Sequence, residues 1–393
     1  MNSKKIICWV ISVTSLIVVF SLGIWIGVTK VAYHVDQPEN IDFSLFWDTY
    51  NTLQEKFIGP EKITDQNIVY GAIKGMAESL DDPYTNFYNP EEAQRFQEDL
   101  AGSFEGIGVE IGIKNDLLTV IAPLKDTPGE RAGLKSGDII VEIDGKDSTK
   151  MSTEEAVSLI RGTRGTPVTL TILRDGWETA EDIKIVRDVI KVISIEWSLK
   201  NEDTAYIQIY QFNEALATDF ETIAYEILQS HATKIVLDLR DNPGGYLEVA
   251  QNIAGWFLKS DEVVTIEDFG EGKTQEVYKT SGNANFANYP TVVLINEGSA
   301  SASEILAGAL RDNRNIELIG KKSFGKGCVQ EVITLHGGSF LKVTVANWLT
   351  PNGSSISDVG LTPDVEVEIT DADYDAKIDP QLNKALEIIK TLQ

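Results

Sequence analysis

Three serines at alternate positions, Ser299-Ala-Ser301-Ala-Ser303, follow an apolar run of strand length (Val292 to Ile295) and an Asn-Glu-Gly break. A helical pattern comes next, with Ile305, Leu306, Ala309 and Leu310 on one face. A turn of small residues between strand and helix lets a side chain stand exposed while backbone N–H groups at the helix start point into the same space. That is what a serine nucleophile and its oxyanion hole need. A serine also needs a base. The three histidines are His34 after the N-terminal apolar run, His231 before a strand and His336 at a hairpin tip, and none has an obvious orienting partner in the sequence. Lysine is the other well-attested base for serine, provided burial in a cleft keeps it neutral. Lys326, flanked by Gly325 and Gly327 among apolar strands, is the candidate. Spacing alone leaves open a surface lysine in a glycine turn.

The elements that must position these residues follow from pattern. Phe43 to Phe57 carries apolar residues at helical spacing (Phe43, Phe46, Trp47, Tyr50, Leu53, Phe57), a stripe expected to be core or a dimer contact. A second helix is expected from about Gln66 to Leu80, stopped by Asp81-Asp82-Pro83, and a third starts at Pro90-Glu91-Glu92. From Gly102 the pattern changes to short strands: an alternating run at Gly106 to Ile113, Leu117 to Ile121, a tight turn at Asp144-Gly145 and a hairpin around Asp175-Gly176. A short helix spans Thr153 to Ile160 between them. Beyond Val189 strands and helices alternate, as in an α/β layer. The strands Ala205 to Ile209, Lys234 to Leu239, Thr291 onward and Ile316 to Ile319 are expected, with helices at Ala215 to Gln229 and Tyr246 to Leu258. A late hairpin runs from Val329 to Trp348, Pro363-Asp-Val-Glu-Val closes the core, and Asp379-Pro380 caps a last helix. Asp371, Asp373 and Asp375 mimic a calcium loop, but Ala376 and Leu382 stand where that loop needs Gly and Glu, so a solvated acidic turn is expected.

The chain has 393 residues and a net charge of -26. That length allows two or three domains with proper cores. The charge speaks against nucleic acid as a partner, since a phosphate backbone attracts basic surfaces. Ile6 to Thr29 holds no charged residue and is long enough for a hydrocarbon core of about 30 Å. Lys4 and Lys5 precede it, which keeps the N-terminus cytoplasmic and sends the remainder out. An uncleaved anchor is expected there rather than a cleaved signal peptide. The two cysteines, Cys8 inside that run and Cys328 beside Lys326, give disulfides no structural role.

The β-rich segment resembles a PDZ domain. Phe104 to Val109 looks like its carboxylate-binding loop, with Gly106, Ile107, Gly108 and Val109 as the peptide-binding positions, and Ala132-Gly133-Leu134…Gly137-Asp138 like its helix-to-strand turn. Such domains add an extended peptide to a sheet edge and hold its terminal carboxylate on backbone N–H groups.

Three further stretches together resemble the C-terminal processing peptidases, or tail-specific proteases: Asn296-Glu-Gly-Ser-Ala-Ser-Ala-Ser-Glu-Ile, Phe324-Gly-Lys-Gly-Cys-Val-Gln330 and Asp238-Leu-Arg-Asp-Asn-Pro-Gly-Gly245. Leu80-Asp-Asp-Pro-Tyr-Thr-Asn with Phe87, and Gly360-Leu-Thr-Pro-Asp364, match as well, so the resemblance covers about Phe43 to Lys390. It implies that Ser301 is the nucleophile, that Lys326 is the general base and that Gln330 orients the lysine. It also implies an oxyanion hole from the backbone N–H of Ala302 and of Gly244 or Gly245, and gating of the site by the inserted PDZ domain, with Arg161 as the sensor. Cys328 departs from the family's pattern, where a small polar residue is expected, and is assigned to packing.

The expected architecture is a multidomain α/β (α+β) chain. Residues 1–30 are the membrane anchor or signal sequence, 31–95 a helical segment, 96–188 the PDZ domain, 189–370 the catalytic α/β core and 371–393 the C-terminal helix. The expected function is a serine endopeptidase, without cofactor or metal, acting outside the cytoplasm on proteins with free C-terminal tails. A homodimer is a further expectation. A PDZ scaffold with an inactive core is the alternative, and the intact Ser301, Lys326 and Gln330 argue against it. A Ser/Lys amidase for small molecules would have no use for a tail receptor.

Overall fold

The computed structural model describes residues 41–59, 62–114 and 117–392. The expected anchor, with Cys8, and His34 lie outside the described residues. Among the described residues no helix is long and apolar enough to cross a membrane. The chain divides into two units that meet in sequence at Val69 and Tyr70. In the first, helix α1 (Ser44–Lys56) buries none of its residues, so its aromatic stripe is not core. Phe43, Phe46, Trp47 and Tyr50 instead meet edge to face along it. Helix α2 (Asp65–Glu78) begins in this unit, and Tyr50 donates to Asp65 (2.9 Å).

The second unit begins at Tyr70 within α2 and continues with strand β1 (Asn86–Tyr88) and helix α3 (Pro90–Ala101). Asn89 caps α3 and Glu92 returns a bond to the Asn89 N–H, so two orphan donors are satisfied at once. The PDZ segment follows. Strands β2 (Ser103–Gly106), β3 (Val109–Lys114), β4 (Leu117–Pro123), β5 (Ile139–Ile143), β6 (Lys146–Asp147), β7 (Pro167–Leu173), β8 (Glu181–Val186) and β9 (Asp188–Lys191) carry a one-turn helix α4 (Pro128–Arg131) and helix α5 (Thr153–Ile160). The sheet runs β3-β4-β5-β7-β8, while β2 and β9 pair as a separate ribbon at the domain's entry and exit. Its own core centres on Leu118, Val120, Ile140, Leu170 and Ile172. The alternating run at Gly106 to Ile113 is not one strand. It breaks at Ile107-Gly108, where φ of Gly108 is 69° and a Cβ would lie 2.4 Å from Thr127.

The third region is a mixed sheet in the order β10 (Ile195–Lys200), β11 (Thr204–Ile209), β12 (Lys234–Asp238), β15 (Thr291–Ile295), β16 (Glu317–Gly320), β19 (Val365–Glu366). Only β10 runs antiparallel. Covered on both faces, β12 and β15 read as near-continuous apolar runs. One face buries Ile235, Leu237 and Val293 under helices α6 (Leu216–Gln229), α7 (Leu247–Phe257) and α8 (Ala302–Arg314). The other puts Val236, Val292 and Leu294 against α10 (Pro380–Ile389). Before α10, the expected acidic turn is a short helix, α9 (Asp371–Ala376), because Thr370 and Asp373 cap it through Thr370 N–H and Oγ1 to Asp373 Oδ2. A final sheet joins β1, β18 (Phe340–Leu349), β13 (Val263–Asp268) and β14 (Glu276–Lys279), with β17 (Cys328–Thr334) paired to β18. Strands β1, β9, β10, β13 and β14 are not predicted by local pattern; β1, β9 and β13 pair with strands distant in sequence, while β10 and β14 pair with their neighbours β11 and β13.

Candidate active site

Parallel neighbours β12 and β15 release their C-terminal loops side by side, in register at Asp238 and Leu294. Open α/β sheets place ligand crevices at such strand ends. The β15 loop ends at Ser301, with φ 55° and ψ −115°, a conformation costly for any residue with a Cβ. It is held by its surroundings. Ser299 donates to Leu239 O (2.8 Å) and Ser303 to Asn242 O (3.0 Å), while the Ala300 N–H reaches the same Asn242 carbonyl (3.0 Å). Ser299 and Ser303 are fully buried and their hydroxyls are spent on backbone carbonyls. Ser301 alone of the three lines the cleft.

The turn is also tied to the loop that carries Lys326. Glu304, one helical turn past Ser301 and fully buried, accepts from Ser301 N–H (2.9 Å), Ser323 Oγ (2.6 Å), Gly325 N–H (2.7 Å) and Lys326 N–H (3.0 Å). One carboxylate therefore grips the backbone of both residues. Burial pushes the Glu304 carboxyl up, and these four donors oppose the shift. The Lys326 side chain is half-buried, with its Nζ 5.5 Å from the Tyr84 ring centre. Tyr84 is delivered by the loop ahead of β1, which Thr85 pins to β18 through the Thr344 N–H (3.1 Å). Burial pushes the Lys326 ammonium below the usual lysine range. The charge of Lys342 adds to that, and Cys328 and Glu304 oppose it.

Gln330 reaches the cleft, but its amide donates to Cys328 Sγ (2.8 Å). Cys328, assigned to packing, is buried and also lines the cleft with Lys326 and Gln330; burial pushes its thiol up. The histidines His231 and His336 do not line this cleft.

Gly244 and Gly245 follow β12; Gly244 packs against the serine turn and Gly245 against Phe212. A Cβ on Gly244 would lie 2.6 Å from Ala300 O and 2.8 Å from Ser301 Cβ, so the close approach of the two loops requires glycine there. The two N–H groups differ. Gly244 N–H donates to Asn242 Oδ1 (2.9 Å). Gly245 sits between the two bonds of a bridge to Phe212, formed by Phe212 N–H to Gly244 O and Tyr246 N–H to Phe212 O, so its own N–H points away from that partner. The Ala302 N–H, at the first position of α8, has no carbonyl within its helix to bond. Gly245 and Ala302 are therefore the donors left over.

The cleft has a volume of about 420 Å³ and runs from Gly244, Ser301 and Lys326 past Val329 and Trp348 to Tyr246, Glu267 and Lys342. Among the described residues no group of three or more His, Cys, Asp or Glu is placed to hold a metal ion. Behind the cleft, Arg240 joins Asp238 (2.6 Å) to Asp379 (2.8 Å) and Gln381 (3.0 Å), pinning α10 to the loop after β12.

Ile107, Gly108, Val109 and Arg161 come together elsewhere, around a groove of about 80 Å³ also lined by Phe104 and Val157. Gly106, expected with them, is not part of that lining: it is the last residue of β2, packed against the Phe104 ring. Arg161 stacks on Phe104 (4.3 Å) and reaches across to α3, pairing with Glu98 (3.1 Å) and Asp99 (3.9 Å). The structure therefore forms two clusters: Ser301, Lys326, Gln330, Ala302 and the glycine pair in one, the PDZ positions except Gly106 in the other. Sequence reading misses Glu304, Asn242, Tyr84 and Lys342. Asn242 and Tyr84 lie in stretches that carry the family resemblance, but only Glu304 shows a physical signal of its role, the Ser-x-x-Glu spacing of a capping box.

Residues 203–367 match peptidase family S41, residues 119–174 a PDZ domain, and residues 29–92 the N-terminal domain of the activating protease CtpB. A carboxy-terminal-processing protease of Bartonella bacilliformis is 41% identical over 308 residues, spanning 77% of this chain and 70% of that protein. The carboxy-terminal processing protease CtpA of Bacillus subtilis is 39% identical over 311 residues, 79% of this chain and 66% of that one. Among solved structures, the photosystem II D1 C-terminal processing protease aligns with a TM-score of 0.50 and 26% identity, over 82% of this chain and 92% of that one. A putative S41 protease of Bacteroides fragilis aligns with a TM-score of 0.53 and 16% identity, over 91% and 100%, which speaks to the fold alone.

Proposed function

Since this chain belongs to peptidase family S41 as a carboxy-terminal processing serine protease with a PDZ domain, we propose that it is an endopeptidase working through a Ser301/Lys326 dyad, gated by its PDZ domain. Neutral Lys326 takes the Ser301 hydroxyl proton as Oγ attacks the scissile carbonyl. The developing oxyanion is held by the N–H groups of Ala302 and Gly245, Gly244 N–H being engaged by Asn242. Lys326 then passes the proton to the leaving amine, and water, deprotonated by the same lysine, releases the acyl group. Gln330 orients the lysine once its amide leaves Cys328. The observation that carries this reading is the single buried carboxylate of Glu304, which fixes the backbones of nucleophile and base to one another.

Substrate selection belongs to the groove at Ile107 to Val109, which takes a free C-terminal tail on backbone donors. Arg161 couples that groove to α3 and so senses occupancy. The uncharged run Ile6 to Thr29 behind Lys4 and Lys5 supports an anchor with the catalytic part outside the cytoplasm. The exposed aromatic stripe of α1 is the surface assigned to a second copy. The test compares wild type with Ser301→Ala on matched peptides with free and amidated C-termini. Cleavage is expected only with Ser301 present, and more slowly on the amide. Turnover by the alanine variant would remove the nucleophile assignment, and equal rates on both peptides the tail-recognition assignment.

A further inference from the structure

Lys342 lies on β18, opposite Val332 of β17 and Asn86 of β1. Gln330 of β17 is opposite Thr344, two residues along, so Lys342 and Gln330 are diagonal neighbours on the same face of the ribbon. That face is the wall of the cleft holding Ser301 and Lys326. The Lys342 Nζ stands 5.5 Å from the Tyr88 ring centre and 5.4 Å from that of Phe96, and these two rings pack on each other at 5.4 Å. Among the described residues no carboxylate forms an ion pair with it. An ammonium seated on aromatic faces without a carboxylate partner, on a residue that lines the cleft of Ser301 and Lys326, is an unusual use of a half-buried stem.

We propose that Lys342 is a positioning residue for the base: its fixed positive charge favours the neutral form of Lys326 and so sets the pH at which the dyad works. This rests on the reading of Lys326 as the base. The groups around Lys326 are Lys342 from β18, Glu304 from α8, Cys328 at the start of β17 and Tyr84 from the loop before β1, with Asp82 and Asp358 beyond Tyr84. Glu304 favours the ammonium, as does Cys328 in its thiolate form, and the Tyr84 ring attracts a cation. Burial works against the ammonium, and Lys342 is the one charge that adds to burial. A lysine beside a second cation and partly withdrawn from water loses its proton more readily than either effect alone would allow.

The experiment is the pH dependence of kcat/KM, which reports the free enzyme's base, for the full chain on a peptide with a free C-terminus. The rising limb is measured for wild type, Lys342→Met, Lys342→Gln and Lys342→Arg. Met keeps the unbranched stem on Tyr88 and Phe96 without the charge, Gln is the second neutral variant should Met fail to fold, and Arg keeps the charge. The limb's midpoint, whatever the height of the plateau, is expected to rise by about one pH unit in the neutral variants, a roughly tenfold loss at pH 7, and to stay in place for Arg. A limb unmoved by Met or Gln overturns the proposal, as does an Arg variant displaced as far as Met. Lys326→Ala, assayed alongside, separates the two readings. Cleavage surviving in it removes the dyad and this proposal together, whereas an inactive Lys326→Ala with an unmoved Lys342→Met limb removes this proposal alone.

Discussion

Around Ser301 the backbone is tied to partners that water does not reach, whereas the PDZ groove ends on Arg161, whose ion pairs are partly exposed. Glu304 is fully buried and serves four donors; Arg161 retains 25% side-chain exposure, and its partners Glu98 and Asp99 retain 18% and 62%. Removing a buried acceptor leaves donors unpaired in a low dielectric, while a partly exposed ion pair contributes about 0–1 kcal/mol. The first arrangement has one geometry. The second can be exchanged for another at little cost, as the proposed role of Arg161 as a sensor requires.

The largest effect expected on the rigid side is that of Lys326→Ala. Activity on an unfolded protein should fall by roughly a thousand-fold or more with the circular dichroism spectrum unchanged, because nucleophile and base act as a unit. Substantial activity in that variant would put the chemistry elsewhere. Glu304→Ala tests the hub without touching the reacting atoms. It should lower stability by on the order of 3 kcal/mol in denaturant titration, since Ser301, Gly325 and Lys326 each lose an acceptor, and activity about a hundred-fold. A Glu304→Ala enzyme that is stable and fully active would break the contrast between the regions.

The pH profile comes next. Only neutral Lys326 accepts a proton, and burial lowers its pKa from that of free lysine, so the rate should rise with pH by about tenfold per unit below that pKa and level off above it. His231→Ala and His336→Ala should leave the limb in place; a limb lost with either histidine would assign the base to it. On the adjustable side, Arg161→Ala should change cleavage of tailed peptides several-fold while moving stability by no more than about 1 kcal/mol. A large stability loss there would make Arg161 structural rather than responsive. The smallest effect is Cys328→Ser, about twofold in rate, read against Gln330→Ala: coupling between the two in a double-mutant cycle would sharpen the role of the Gln330–Cys328 contact, and strict additivity would dissolve it.

Local pattern determined a great deal about this protein. Side-chain period and capping chemistry are properties of neighbours in the chain, so helix Thr153–Ile160 has the expected bounds, the buried strands at Lys234 and Thr291 are continuous apolar runs, and Asp379 caps the last helix through Leu382 N–H. The strand-to-helix turn with its three serines was legible for the same reason, and so was a lysine between glycines as a candidate base. Pattern could not separate Gly244 from Gly245, because that choice depends on Asn242 and on the bridge to Phe212, whose strand pairing is set by the sheet. It gave no hint that β1, a strand too short to stand out, would bring Tyr84 to Lys326, or that β18 would turn Lys342 toward the same cleft. It read Gly106 to Ile113 as one strand because alternation does not register a positive φ at Gly108. Tertiary structure decided these points for one physical reason. A cleft is lined by residues far apart in the chain, and their distances are fixed by sheet order and helix packing, which no run of neighbouring residues encodes.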